Sequence, residues 1–165
     1  MSKFKPLLIS LGLSGALLTG GAMVAQQEGL ILGSYVDPVG IATACFGRTG
    51  PQVELGQSFT QQQCLSMLAE DLELYDRQLV KLVPQNITSS EHAAYLSFIY
   101  NVGANNFSES TLRKKLYRGD RIGACNELSR WIYAKGKKLQ GLIHRREAER
   151  QLCLKELSHV SKHEK

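Results

Sequence analysis

The sequence predicts an α+β fold, with a small antiparallel sheet lobe, a mainly helical lobe, and a cleft between them that suits an extended ligand. Three observations carry this reading. Residues 34–56 are rich in Gly, Thr, Val and aromatics and are punctuated by Asp37-Pro38, Gly47 and Gly50-Pro51, the mark of short strands and tight turns. After them the hydrophobic period becomes helical, and two capping boxes open consecutive apolar runs. The length, 165 residues, leaves room for one ordinary domain. A hydrophobic share of 43% with 21% charged residues argues against disorder throughout. These figures exclude a multidomain enzyme, a multi-span membrane protein and a repeat chain.

Taken in order, the first element is an apolar segment. Lys3 and Lys5 are the only charges before Glu28, so residues 6–27 form an uncharged run of 22. As one helix it would measure about 33 Å, enough to cross a bilayer core of about 30 Å. The leading lysines would place its N-terminus in the cytoplasm and the rest of the chain beyond the inner membrane. Gly12, Gly15, Gly20 and Gly21, with Ser10, Ser14 and Thr19, make it a poor anchor. Composition leaves three readings open: a signal peptide cleaved near Gly20-Gly21-Ala22, a permanent anchor, and a weak anchor that enters the membrane and later leaves it.

Glu28 is expected to end a short helix, with Gly29 as the stop signal. The sheet of residues 34–56 follows. Thr60 with Gln63 caps a helix carried by Leu65, Leu68, Leu72, Tyr75, Leu79 and Leu82 and stopped by Pro84. Thr88 with Glu91 caps a second, ending at Gly103. A shorter helix covers residues 110–118, closed by Gly119, and Asp120 caps another that reaches Trp131. Lys135-Gly136-Lys137-Lys138 reads as a basic turn. A final helix runs over residues 140–157, and residues 158–165 read as a frayed polar tail.

Cys45, Cys64, Cys125 and Cys153 show no C-x-x-C and no nearby histidine, so a zinc site is not expected. An even count in a small exported domain reads as disulfides. Four cysteines allow three pairings. Joining near neighbours gives Cys45–Cys64 and Cys125–Cys153, each closing a loop of roughly 20 to 30 residues worth about 3 kcal/mol.

The chemistry lies in residues 26–50, where Glu28, eight residues, Asp37, five residues, Thr43 is the key spacing. A hairpin would return Thr43 to the two carboxylates. Glycoside hydrolysis asks for one carboxyl that stays protonated and one that stays ionised. Glu28, at the negative end of a helix dipole and partly buried, suits the acid role. Asp37 in a solvated turn suits the ionised role, and the Thr43 hydroxyl can hold a water.

This string, with Tyr35, Gly40 and Gly47-x-Thr49-Gly50 in place, resembles the phage lysozymes of glycoside hydrolase family 24. Residues 97–116 (SFIYNVGANNFSESTLRKKL) and 131–154 (WIYAKGKKLQGLIHRREAERQLCL) are similar to two further family segments, so the resemblance spans roughly residues 26–157. It is nearest to lambdoid endolysins with a signal-anchor-release N-terminus, which share four cysteines in comparable places. The resemblance implies a lysozyme-like fold and an endolysin that cuts the β-1,4 bond between N-acetylmuramic acid and N-acetylglucosamine, with inversion, for host lysis. It implies Glu28 as general acid, with Asp37 and Thr43 positioning the attacking water. It implies residues 1–26 as the anchor segment and 27–165 as the muramidase domain. The protein would be inactive in the inner membrane through residues 6–27 and released to the periplasm on depolarisation. Only two residues separate Ala25 from Glu28, so a membrane-held helix would draw Glu28 from the cleft. No cysteine precedes residue 28, so release by disulfide exchange with the anchor is not available. Arg48 stands where most members carry a structural His, which bears on stability more than on chemistry.

The partner expected is the peptidoglycan strand, the protein acting as a monomer without cofactor or metal. Net charge is +5. Lys135, Lys137, Lys138, Arg145, Arg146 and Arg150 could meet stem-peptide carboxylates, or form a solvated helix face paired with Glu147 and Glu149. Nucleic acid is not expected: aromatic residues do not interleave with the basic ones. Trp131 reads as core, and His92 and His144 as surface or structural residues. A lytic transglycosylase needs only one acid, and a silent wall-binding module needs none; the Glu28, Asp37, Thr43 set argues against both.

Overall fold

The computed structural model describes residues 3–160, with side chains through residue 157. The apolar run opens the chain as two helices, not one. Lys5–Ser10 (α1) ends at Leu11, and Gly12, with φ +86°, turns the chain in a conformation that other residues rarely adopt. Gly15–Glu28 (α2) then runs to Gly29. No helix among the described residues is long and apolar enough to cross a membrane. In this conformation the run folds onto the protein: Leu8, Leu13, Val24 and Ala25, with Phe4 just before it, belong to the same core as the rest of the chain. Each large aliphatic or aromatic side chain buried there contributes about 1.5–3 kcal/mol.

The small lobe is a hairpin of Ile31–Val36 (β1) and Ala42–Cys45 (β2), antiparallel, with Tyr35 opposite Thr43 and Val36 opposite Ala42. Gly33 bridges to Ser58, which brings residues 57–59 alongside β1. The sheet begins three residues before the stretch that composition marks.

The helical lobe follows. Gln61–Leu82 (α3) and Ser89–Val102 (α4) each open on the expected capping box, with both reciprocal hydrogen bonds made. Ala104–Glu109 (α5), Thr111–Tyr117 (α6) and Arg121–Glu127 (α7) come next, and a 3-10 turn, Leu128–Arg130, ends the series. The basic turn is the loop of a short hairpin, Tyr133–Ala134 (β3) with Lys137–Lys138 (β4). Gln140–Val160 (α8) closes the described chain. The expected frayed tail therefore begins as helix over residues 158–160, and residues 161–165 lie outside the described residues.

The central helix is α4. Its Tyr95, Leu96, Phe98 and Ile99 are fully buried, and it packs on α2 and α8. Glycines let α2 lie directly on its neighbours. A Cβ added to Gly20 would sit 2.8 Å from the Ala93 carbonyl oxygen, and one on Gly21 2.6 Å from Leu72 Cδ1. Gly20 and Gly21, two of the residues that lower the segment's apolar character, are thus the ones that permit its close packing on α4 and α3. Disulfides join Cys45 to Cys64, tying β2 to α3, and Cys125 to Cys153, tying α7 to α8.

Candidate active site

Glu28 is the last residue of α2, and Gly29, with φ +72°, turns the chain away at once. The Glu28 side chain is 22% exposed. Arg145 of α8 donates Nη1–H to Glu28 Oε1 at 2.7 Å, Nε–H to Glu149 Oε1 at 3.2 Å and Nη2–H to the Ser97 carbonyl at 3.2 Å. The other Glu28 oxygen, Oε2, faces Gly47, where an added Cβ would lie 3.4 Å away. One oxygen is therefore fixed by a guanidinium and the other is turned toward the hairpin.

Beneath this pair sits a buried polar network. Glu149 has no exposed surface; it accepts from the Ser97 hydroxyl at 2.7 Å and from Arg146 Nη1 at 2.6 Å. Arg146 also donates to the Trp131 carbonyl at 3.1 Å and to Asn101 Oδ1, with its guanidinium 4.9 Å from the Phe98 ring centre. Burial, opposed by Glu149, lowers the pKa of the Arg146 guanidinium from its ordinary value. Arg145 and Arg146 are thus neither a solvated face nor a patch for an acidic ligand. They hold the floor under Glu28, while Lys135, Lys137 and Lys138 stay exposed on their hairpin and Arg150 pairs with Glu147. Trp131 packs edge-on against Phe98. His92 pairs with Asp76 at 2.5 Å, and His144 meets Gln140 at 3.0 Å.

Asp37 opens the turn between β1 and β2. Its Oδ1 accepts from the amides of Val39 and Ile41, both at 2.9 Å, which fixes the carboxylate within the turn. Thr43 is buried on β2 opposite Tyr35, and its hydroxyl donates to the Ile41 carbonyl at 3.0 Å. The hairpin therefore returns Thr43 beside the strand leading to Asp37, and its far end brings Gly47 against Glu28.

The opposite wall comes from α3 and α4. The Tyr75 and Tyr100 rings lie 5.1 Å apart, and the Tyr100 hydroxyl donates to the Phe46 carbonyl at 3.0 Å. Burial raises both phenol pKa values, and the Asp71 and Glu28 charges raise them further, so both stay neutral donors. Arg48 donates to Asp71 Oδ1 at 2.6 Å and to the Met67 carbonyl at 3.2 Å. The place where the resemblance led one to expect His is thus filled by a cation with partners of its own. Burial pushes the Asp71 carboxyl up to about 6, against the pull of Arg48. A cavity of about 240 Å³ between Gly47, Arg48, Asp71 and the two tyrosines adjoins one of about 410 Å³ along Tyr75, Gln78 and Gly103–Asn106. A third, of about 490 Å³, opens beside Gln27, Gln140 and Arg145. Open grooves, the first two mainly polar, flanking a half-buried carboxyl suit a chain-like, hydroxyl-rich ligand.

The profile of the family described as phage lysozyme matches residues 25–149, most of the chain and all of this site. The chain belongs to the phage lysozyme family. As a phage lysozyme it is a muramidase, a glycoside hydrolase that acts on peptidoglycan. It is 40% identical over 145 residues to the SAR-endolysin of Bacteriophage PS119, covering 88% of this chain and 87% of that one. The active form of P1 phage endolysin Lyz is similar with a TM-score of 0.78 and 25% identity, over 92% of this chain and 91% of that one. The secreted inactive form of the same endolysin matches with a TM-score of 0.58 and 23% identity, over 84% and 95%. Both structures share the lysozyme fold seen here.

Sequence reasoning did not assign Arg145, Ser97, Asn101 and Glu149 to this lysozyme's site. Arg145 and Glu28 are 117 residues apart, and no local pattern links them. The available signal was the basic pair Arg145-Arg146 three and four residues before Glu149, which also fits a solvated helix face.

Proposed function

We propose that this lysozyme is an endolysin that hydrolyses the β-1,4 bond between N-acetylmuramic acid and N-acetylglucosamine, with Glu28 as general acid and Asp37 and Thr43 holding the attacking water. The observation that carries the reading is the setting of Glu28: Oε1 is taken by Arg145, which leaves Oε2 to carry a proton toward the glycosidic oxygen. Asp37 engages Oδ1 with the turn amides, so Oδ2 is left to accept from water. The Thr43 hydroxyl donates to Ile41, and its lone pairs are left to accept from the same water. As the leaving oxygen takes the Glu28 proton, that water adds to the sugar carbon from the opposite face, with inversion, and gives its own proton to Asp37. The product is a reducing N-acetylmuramic acid end.

Residues 1–26 act as a signal-anchor-release segment and residues 27–165 as the muramidase domain. Held in the inner membrane with its N-terminus in the cytoplasm, the segment keeps the enzyme off, because α2 ends in Glu28 and cannot span a bilayer and deliver Glu28 to the hairpin together. After release to the periplasm it folds as α1 and α2. The name signal-anchor-release endolysin borne by the relatives and the higher TM-score to the active P1 form both support this reading.

The test is mass spectrometry of peptidoglycan digested by the full-length protein, beside Glu28→Gln. Reducing N-acetylmuramic acid ends from the parent alone are expected. Anhydro ends would make it a transglycosylase, and binding without cleavage by the parent a wall-binding module. Cell fractionation tests the anchor: uncut protein should move from membrane to soluble fraction on depolarisation, and a mature N-terminus near Met23 would refute it.

A further inference from the structure

From Gly29 to Gly47 the chain carries one charge, Asp37; burial of Thr43 to Phe46 accounts for part of this, yet much of the first strand and the turn of the hairpin is exposed. At its tip Val36, Val39 and Ile41 are 53%, 63% and 48% exposed. They share one turn: Val36 pairs with Ala42, the Asp37 amide donates to the Ile41 carbonyl, and the Val39 amide donates to Asp37. Ile31 and Leu32 at the base of β1 are also exposed. Solvated positions of a hairpin ordinarily carry polar side chains, and an exposed aliphatic cluster marks a contact surface.

The chain itself points to the occupant. In the membrane-held form proposed above, on which this inference rests, the lipid segment ends at Gln27 and β1 begins four residues later. At about 3.6 Å per residue, the start of the hairpin lies within about 14 Å of the end of that segment. Between them stands a single charged side chain, Glu28. The tip follows five residues further along β1 at Val36, about another 17 Å of strand, so an aliphatic tip nearly free of charge is tethered within about 31 Å of the bilayer and can fold back onto the interfacial region of lipid.

We propose that the β1–β2 hairpin is itself a membrane-binding element, with Val36, Val39 and Ile41 seated in the outer-face lipid of the inner membrane while residues 6–27 span it. The tip carries Asp37 with it, because Asp37 is bonded to the amides of Val39 and Ile41. Tethering then withholds two parts of the site: Glu28, drawn out by the anchor, and Asp37, held at the lipid surface away from the glycan. Release frees both.

The test places a reporter at the tip. Full-length protein with Val39→Trp is reconstituted into phosphatidylethanolamine–phosphatidylglycerol vesicles, with and without brominated acyl chains, and recovered by flotation. The added emission is expected to shift to shorter wavelength and to be quenched by brominated lipid. Trp131, packed on Phe98 in the helical lobe, serves as the unquenched background in the parent. Flotation without shift or quenching overturns the hairpin proposal and leaves the anchor reading intact; failure to float overturns both. As a check free of the bulky reporter, Val36→Thr with Val39→Thr is expected to speed release from cell membranes on depolarisation. A time course equal to the parent's counts against the proposal, and quenching of a tip displaced by a bound wall fragment or protein would assign the face to that ligand instead.

Discussion

Glu28→Gln keeps a carbonyl oxygen for Arg145 and removes only the proton that the proposed acid role requires. The variant should melt within about 1 kcal/mol of the parent and lose about 10²–10⁴-fold in wall cleavage, measured as turbidity loss of a peptidoglycan suspension. Arg145→Leu does the reverse. It leaves Glu149 fully buried with one cation fewer and removes the clamp on Glu28 Oε1, so urea denaturation should show a loss of about 3–5 kcal/mol. Asp71 supplies a pH dependence. Burial holds its carboxyl up at about 6 in the folded chain, against the ordinary 3.8 of an exposed aspartate when unfolded. Between those values the folded chain binds more protons, so stability falls as pH rises through that window and is flat on either side, by on the order of 2 kcal/mol. Asp71→Asn should flatten that part of the stability profile; an unchanged slope would assign it to other groups. At this scale the sequence offered Glu28, Asp37 and Thr43 as candidates because their spacing is short and their types are chemical. It hid Arg145 and Arg146 because burial, not identity, decides whether an arginine clamps a site or faces water.

Among the elements, α2 carries two competing fits. Gly20 lies so close to the Ala93 carbonyl that a larger residue cannot enter without moving α2 off α4, and one at Gly21 must displace the buried Leu72 side chain of α3. The same substitutions make the segment more apolar. Gly20→Leu with Gly21→Leu should therefore favour the bilayer and disfavour the folded form at once. The protein is expected to stay in the membrane fraction after depolarisation and to give no lysis, read by fractionation and culture turbidity. Release at the parent's rate would show that α2 does not need this contact. The helices with capping boxes, α3 and α4, were legible to the residue at their starts because the cap is a local signal. Six-residue α5 was not, since it begins directly after Gly103 with no side-chain cap. The break between α1 and α2 was equally hidden. An uncharged run reads as one span until tertiary burial of Leu8 and Leu13 makes the bend at Gly12 worthwhile.

For the molecule as a whole, the first 25 residues distinguish the proposed release of the segment from its cleavage as a signal. Residues Phe4, Leu8 and Leu13 lie within the core, and α2 packs on α4, with Gly20 against Ala93 and Leu96. A chain beginning at Met23 loses those three side chains and most of α2, and it exposes Leu72 and Leu96, which now face the two glycines. Three large buried side chains at about 1.5–3 kcal/mol each amount to several kcal/mol, comparable to the whole stability of a typical domain. The shortened chain should therefore fail to show a cooperative thermal transition by circular dichroism and should have little activity. Its remaining helix end is too short to fix Glu28 against Arg145 and Gly47. A stable, fully active chain starting at Met23 would show that the segment is dispensable once export is complete, and would favour a cleaved signal. On the proposed release reading, the expected loss makes the segment serve twice, as the tether before release and as core after it, and an enzyme cut loose by proteolysis would then not be the enzyme that lyses.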